Sequence, residues 1–177
     1  MGKKIVVLFL PVFLFTISCQ QRVDIKKEKE AIKAVIIAET DAFDNQDYDG
    51  LVEHMVRDST FIRMSTGKHE HTGVAGWDNM AHWYHEFATA DLSDYKVERE
   101  QSNWKIKVYP ECAWVVYDQI TRYVYKGQKD YRTTKEIRFL EKVDGRWKIN
   151  YLHVIYLSGY EKDELLEYSL IEELEEE

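Results

Sequence analysis

The stretch KEIRFLEKVDGRWKINYLHV, residues 135 to 154, reads as two strands joined by a tight turn at Asp144-Gly145, and it carries Glu136 and Arg138 on one strand face. An acid and a guanidinium inside an apolar hairpin are costly unless a partner or a ligand satisfies them. Two readings follow. Either the pair faces a cavity and meets a small molecule there, or the two residues pair with each other or with Arg63 near a wet rim and stabilise little. If a cavity exists, Glu136 is the candidate general base, because a carboxylate in an apolar chamber can have its pKa tuned for proton transfer. Arg138 beside it favours the ionised form of that acid. On the neighbouring strand Tyr117, Gln119 and Tyr123 share the corresponding face and join Arg138 and Arg63 as candidate ligand contacts.

Six histidines invite a metal reading. His69 and His71 alternate on a turn-like stretch, and His82 and His85 lie three apart on a helical one, but no Cys or carboxylate joins them at a ligand spacing. His82 and His85 also continue a polar edge with Asp78 and Thr89, so a solvated or mouth-lining role is expected, with no metal and no cofactor. His153 follows Trp147, Ile149 and Tyr151 on alternate positions and is expected to pack on an apolar face.

These residues need elements to position them. From Glu28 to Gln46, Ile32, Val35, Ile36 and Phe43 recur on one face of a 3.6-residue period, which predicts a first helix. A short second helix carries Leu51, Val52, Met55 and Val56. STFIRMS has strand composition, TGKHEHTG is turn-like, and GVAGWDNMAHWYHEFATA reads as a third helix with Trp77, Ala81, Tyr84 and Ala88 as its apolar stripe. Tyr84 thereby becomes a further candidate contact. Four strands follow, at 95–109, 112–126, 131–143 and 146–157, with gaps short enough for successive antiparallel hairpins. Helices followed by a meander predict an α+β fold.

The strand from Cys112 is apolar on both faces. Trp114, Val116 and Ile120 lie opposite Tyr117 and Gln119, and a sheet covered by helices on one side would leave them wet. Burial against a second copy would recover roughly 25 cal/mol per Å² of apolar surface. A homodimer through the outer sheet face is therefore expected.

The ends of the chain read differently. Lys3 and Lys4 precede an apolar run from Ile5 to Ile17, too short for the roughly 20 residues a membrane span needs and broken by Pro11. The run closes at Ser18-Cys19 and resembles a bacterial lipoprotein signal, which implies lipidation of Cys19 and a lipid-anchored place in the cell envelope, periplasm or cell surface. Plain secretion is the alternative. Only Cys112 would then remain, and one thiol makes no intrachain disulfide. The domain plan is a signal over 1–19, a tether over 20–27, one domain over 28–160 and a tail over 161–177. That tail holds nine acids and one lysine; without it the chain carries 23 acidic and 23 basic residues, so the net charge of −8 resides there. Leu165, Leu166, Leu170, Ile171 and Leu174 make it either an amphipathic helix that docks or a frayed, solvated end. The nearly neutral body gives no electrostatic case for nucleic acid.

FDNQDYDGLVEHMVRDSTFI and EIRFLEKVDGRWKINYLH resemble the opening and the closing hairpin of the nuclear transport factor two-like superfamily, also called cystatin-like or ketosteroid-isomerase-like. GWDNMAHWYHEF, AWVVYDQITRYV and EIRFLEKVDGRWKI resemble most the association domain of calcium/calmodulin-dependent protein kinase II and SnoaL-like proteins. The resemblance spans roughly residues 28 to 157. It implies a cone, a strongly curved antiparallel sheet wrapped around three N-terminal helices, with a cavity at the wide mouth and dimers on the sheet's back. In the association domains the Arg of the Glu-X-Arg stretch helps bind small carboxylates, and that position is Arg138. Their second and third pocket arginines fall at Gln119 and Val154, and their helix His at Met80. The resemblance implies a small polar or anionic organic ligand without catalysis. Alternatively it implies a cofactor-free isomerase, cyclase or hydrolase, with Glu136 as base and Tyr117 or Tyr123 steadying an enolate oxygen.

Overall fold

The computed structural model describes residues 24–69 and 71–157. Cys19, the signal and the acidic tail lie outside the described residues. The element order is α1 (Ile25–Asp44), α2 (Tyr48–Glu53), β1 (Ile62–Thr66), β2 (His71–Ala75), α3 (Trp77–Thr89), β3 (Tyr95–Val108), β4 (Cys112–Tyr125), β5 (Gln128–Val143) and β6 (Arg146–Tyr156). The six strands form one open sheet in the order β2-β1-β6-β5-β4-β3, antiparallel except where β1 runs parallel to β6. The class is α+β, with the helices against the sheet's inner face.

Local chemistry sets the element ends. Asp24 caps α1 by accepting from the Lys27 amide at 3.1 Å. The helix therefore begins at Ile25, inside the stretch expected to be a tether. Asp47 caps α2 by accepting from the Gly50 amide at Oδ1, 3.0 Å away, and a Cβ on Gly50 would lie 2.3 Å from the other carboxylate oxygen, Oδ2, so any side chain there would push against the cap. The β4–β5 and β5–β6 hairpins turn on Lys126-Gly127 and Asp144-Gly145, all four with positive φ, as two-residue turns demand.

Two expectations are corrected. The stretch read as a turn and a helix start contains β2, which pairs with β1 from Ile62↔Ala75 to Thr66↔His71, so α3 begins only at Trp77. β2 is a short, polar, mostly exposed edge strand. With no buried face it carries no alternation to read. The second correction lies in β6. Leu140 pairs with Ile149 but Phe139 pairs with Tyr151, which leaves Asn150 as a β-bulge. The extra residue reverses the strand's faces. Trp147 and Ile149 point into the core, then Leu152, Val154 and Tyr156 point inward, while Tyr151 and His153 turn to the outer face. His153 consequently does not share a face with Ile149; it hydrogen-bonds Thr66 Oγ1 at 2.9 Å and the Tyr151 hydroxyl at 3.1 Å.

The core joins Ile32 and Ile36 of α1, Leu51 of α2 and Met80 of α3 to Val115, Leu140 and Ile149 of the sheet. Glu28 fastens α1 to the last hairpin, accepting from Trp147 Nε1 at 2.6 Å and Lys142 Nζ at 3.0 Å. Burial pulls its pKa upward, but those two bonds and the lysine charges outweigh it and hold the carboxyl below its usual range. The outer sheet face carries Trp114, 45 % exposed, against Phe139 and Tyr151 at ring separations of 5.6 and 6.3 Å.

Candidate functional site

Between the inner sheet face and helices α1 and α3 lies a cavity of about 360 Å³. That is within the ordinary range for small-molecule sites. Strand parity supplies one wall. Arg132, Thr134, Glu136 and Arg138 alternate inward along β5, opposite Thr121 and Gln119 of β4 and Leu152, Val154 and Tyr156 of β6. Helix α1 supplies a second wall through Glu39, Thr40, Phe43 and Asp44. α3 closes the side with Trp83, Tyr84 and Phe87.

The opening pair is settled in part by burial. Glu136 and Arg138 are 1 % and 4 % exposed and bonded at 2.9 Å, so they pair deep in the domain rather than at a wet rim. Glu136 is also engaged at both of its oxygens. Its Oε1 accepts from Thr134 Oγ1 at 2.7 Å and Gln119 Nε2 at 3.3 Å, and its Oε2 takes the guanidinium. Gln101 extends the network, donating to Gln119 Oε1 at 3.1 Å and Thr40 Oγ1 at 3.3 Å. A carboxylate so engaged is a fixed acceptor, poorly placed to take a substrate proton.

Arg63 does not join that pair. It lies over the Trp83 ring, 4.7 Å from the centroid. Arg132 lies over Tyr123 and Tyr156 at 5.0 and 5.7 Å. Neither has a carboxylate partner among the described residues, whereas Arg99 is held by Asp44 at 2.6 Å. Gln119 and Tyr84 line the cavity with Arg63 and Arg138. Two other candidates do not. Tyr123 sits at the rim, donating to Asp130 Oδ2 at 2.8 Å and stacking on Tyr95 at 5.7 Å. Tyr117 is fully buried behind the lining, covered by Trp104 at 4.3 Å. A β-bulge in β3 that sets two residues against Tyr117 brings that tryptophan there.

Of the association-domain positions, Gln119 and Val154 line the cavity and Met80 lies in the core, so the cavity's other cations enter elsewhere, at Arg63, Arg99 and Arg132. Sequence reasoning missed Glu39, Asp44, Arg99 and Arg132. The signal was present. Glu39 and Thr40 follow Ile36 by three and four residues on the buried stripe of α1, and Arg132 shares parity with Glu136 and Arg138. Glu39 is 4 % exposed. Burial raises its pKa more than Arg138 lowers it. The hydroxyls of Tyr84 and Tyr117 and the Nε of Arg138 are buried without a hydrogen-bond partner among the described residues. Burial also raises the pKa of both phenols.

The histidines stay apart. His82 pairs with Glu86 at 3.3 Å on the exposed face of α3, His85 meets the Tyr48 ring, and His71 meets Thr66. Among the described residues no three His, Cys, Asp or Glu side chains are grouped to hold a metal, and no helix is long and apolar enough to cross a membrane.

Residues 32–155 match the SnoaL-like domain. No curated protein matches the chain. Among solved structures, a ketosteroid isomerase-like protein from Erwinia carotovora atroseptica is similar at 17 % identity and TM-score 0.55, covering 75 % of this chain and 98 % of its own. A candidate scytalone dehydratase from Novosphingobium aromaticivorans aligns at 18 % identity and TM-score 0.61, covering 77 % and 89 %. A candidate calcium/calmodulin-dependent protein kinase II association domain from Xanthomonas campestris aligns at 14 % and TM-score 0.56, covering 73 % and 87 %. At these identities the structural likeness carries the fold.

Proposed function

Because the chain belongs to the SnoaL-like domain family of the nuclear transport factor two-like superfamily, we propose that its cavity binds a small organic anion with an apolar or aromatic body. The observation carrying this reading is the pair Arg63 and Arg132, two cavity cations resting on aromatic rings rather than on carboxylates. With Asp44 and Glu136 each occupied by an arginine, an arriving anion meets two guanidiniums that no described carboxylate contacts, beside an apolar slot of Phe43, Trp83 and Phe87. Thermal shift against aromatic and aliphatic carboxylates tests it. A ligand at 100 times its Kd stabilises by about 2.7 kcal/mol. Stabilisation of the wild type that is reduced in Arg63→Ala and Arg132→Ala supports the reading; no shift with any carboxylate defeats it.

A second reading, cofactor-free acid–base catalysis, is favoured by one observation. Glu39 is a buried cavity carboxyl that burial holds toward its protonated form, whereas Glu136 is locked by three donors. Turnover lost in Glu39→Gln and retained in Glu136→Gln would favour it. The envelope reading completes the proposal: Cys19 is lipidated, the domain is tethered outside the cytoplasm, and two copies meet through the outer sheet face around Trp114, Val116 and Ile120. Mass spectrometry of the mature N-terminus decides the first part, and an unmodified Gln20 terminus would end it.

A further inference from the structure

A second cavity, of about 390 Å³, lies between the first turns of α1, the end of α2 and the β5–β6 turn, at the opposite end of β6 from the chamber residues Val154 and Tyr156. Its floor is apolar, from Ala31, Val35 and Trp147, and its walls carry Lys27, Lys142, Arg146 and Lys148 against two acids, Glu28 and Glu53. Those acids are partly spent. Glu28 is held by Lys142 and the Trp147 indole, and Glu53 stands 3.9 Å from Arg146 with both side chains mostly exposed. Lys148 donates to the Glu53 carbonyl at the end of α2, and neither it nor Lys27 forms an ion pair among the described residues. Burial first, and then the charges of Arg146 and Arg57, lower the Lys148 pKa against the pull of Glu53. Positive charge is therefore in excess at this end of the domain, beside an apolar floor.

The chain itself holds a matching occupant. Leu157, at the far end of β6, donates its amide to the Thr133 carbonyl at 3.0 Å, and residues 158–177 lie outside the described residues. The return from Leu157 to Trp147 along β6 is about 33 Å at roughly 3.3 Å per residue. Residues 158–169, extended, cover about 40 Å. That leaves Leu170 to Glu177 at the groove, with aliphatic side chains at Leu170, Ile171 and Leu174, five glutamates and no cation. We propose that this groove is the docking site of the chain's own segment 170–177, with the glutamates meeting Lys27, Arg146 and Lys148 and the aliphatic residues lying on the floor at Ala31, Val35 and Trp147. Docking there holds the acidic tail away from the chamber mouth and beside the start of α1.

Carbodiimide coupling of the full chain, read by peptide mass spectrometry, tests it. Amide links are expected from the glutamates at 172–177 to Lys27, Lys142 and Lys148, and in a mixture of isotope-labelled and unlabelled chains they should stay within one chain. Arg146→Glu removes no lysine and lies on an exposed turn; it should cut the groove links about fivefold, as should salt near 1 M, where the screening length is about 3 Å. Links spread evenly over the exposed lysines, or gathered on Lys126 and Lys129 at the β4–β5 turn, overturn the proposal, the first by leaving the tail in solvent and the second by placing it at the other end of the sheet. Links that join labelled to unlabelled chains give the groove to a second copy's tail and overturn it too. Groove links undiminished in Arg146→Glu would show coupling without charge-driven docking, and that result also overturns it.

Discussion

Replacing Tyr84 with phenylalanine is expected to stabilise the ligand-free protein, which is the reverse of what most core substitutions do. The ring is packed between Trp77 and Trp83, with centroids 6.3 and 5.3 Å away, and Phe keeps those contacts. Only the oxygen is lost. In the wild type that hydroxyl leaves water on folding and gains no protein partner, so its burial works against stability by about 1–3 kcal/mol. Taking the lower bound, Tyr84→Phe gains about 1 kcal/mol. Unfolding entropy of about 2.1 cal/mol/K per residue, over a domain of about 130 residues, converts this to a Tm rise of about 3–4 °C. Scanning calorimetry and urea titration of the ligand-free pair measure it, and the urea m-value should not change, because the surface exposed on unfolding is nearly the same. A loss of about 1 kcal/mol or more would mean that the hydroxyl is well bonded in the resting protein.

Glu39→Gln tests the same region through pH. The folded pKa of Glu39 is raised, so between the ordinary glutamate value of 4.5 and the folded value the native state holds more protons than the unfolded chain, and stability falls as pH rises through that window. The variant should lose that decline and gain relative to wild type toward neutral pH; parallel stability-versus-pH curves would count against the buried acid. Glu136→Ala strands Arg138 without its partner and should cost about 3–5 kcal/mol in urea titrations, whereas a loss under about 1 kcal/mol would place the pair in water. Trp114→Glu, on the exposed face, should move the light-scattering mass from two chains to one; a wild type that is already monomeric at micromolar concentration removes the dimer proposal.

Strands β3 to β6 were legible because alternating apolar residues and positive-φ turn pairs at Lys126-Gly127 and Asp144-Gly145 leave few other ways to fold. β4, expected over 112–126, runs Cys112–Tyr125. β2 was not legible, since a polar edge strand exposes both faces and looks like a turn. In the site, strand parity grouped Arg138, Glu136 and Gln119 on one face and the family resemblance aimed that face at a cavity, while Arg63 and Tyr84 came with the elements on either side. Glu39 and Asp44 needed something more. Polar residues on the buried stripe of a helix signal a cavity only once the depth of the sheet opposite is known, and that depth is a tertiary property. Tyr117 and Tyr123 were on the correct face, but the β3 bulge hides one behind Trp104 and the pairing with Asp130 keeps the other at the rim.

The single extra residue at Asn150 lets one strand change faces midway. If the same residues ran as an unbroken two-residue repeat, with Asn150 opposite Phe139, inside and outside would be exchanged from position 151 onward. The aromatic and imidazole rings of Tyr151 and His153 would then enter the chamber, while Leu152, Val154 and Tyr156 would be expelled to the outer surface. Deleting Asn150, by contrast, leaves Ile149 and Tyr151 facing Leu140 and Phe139 and keeps the lining as it is. The bulge thus stores one residue of slack that the strand can lose without changing what its chamber face presents.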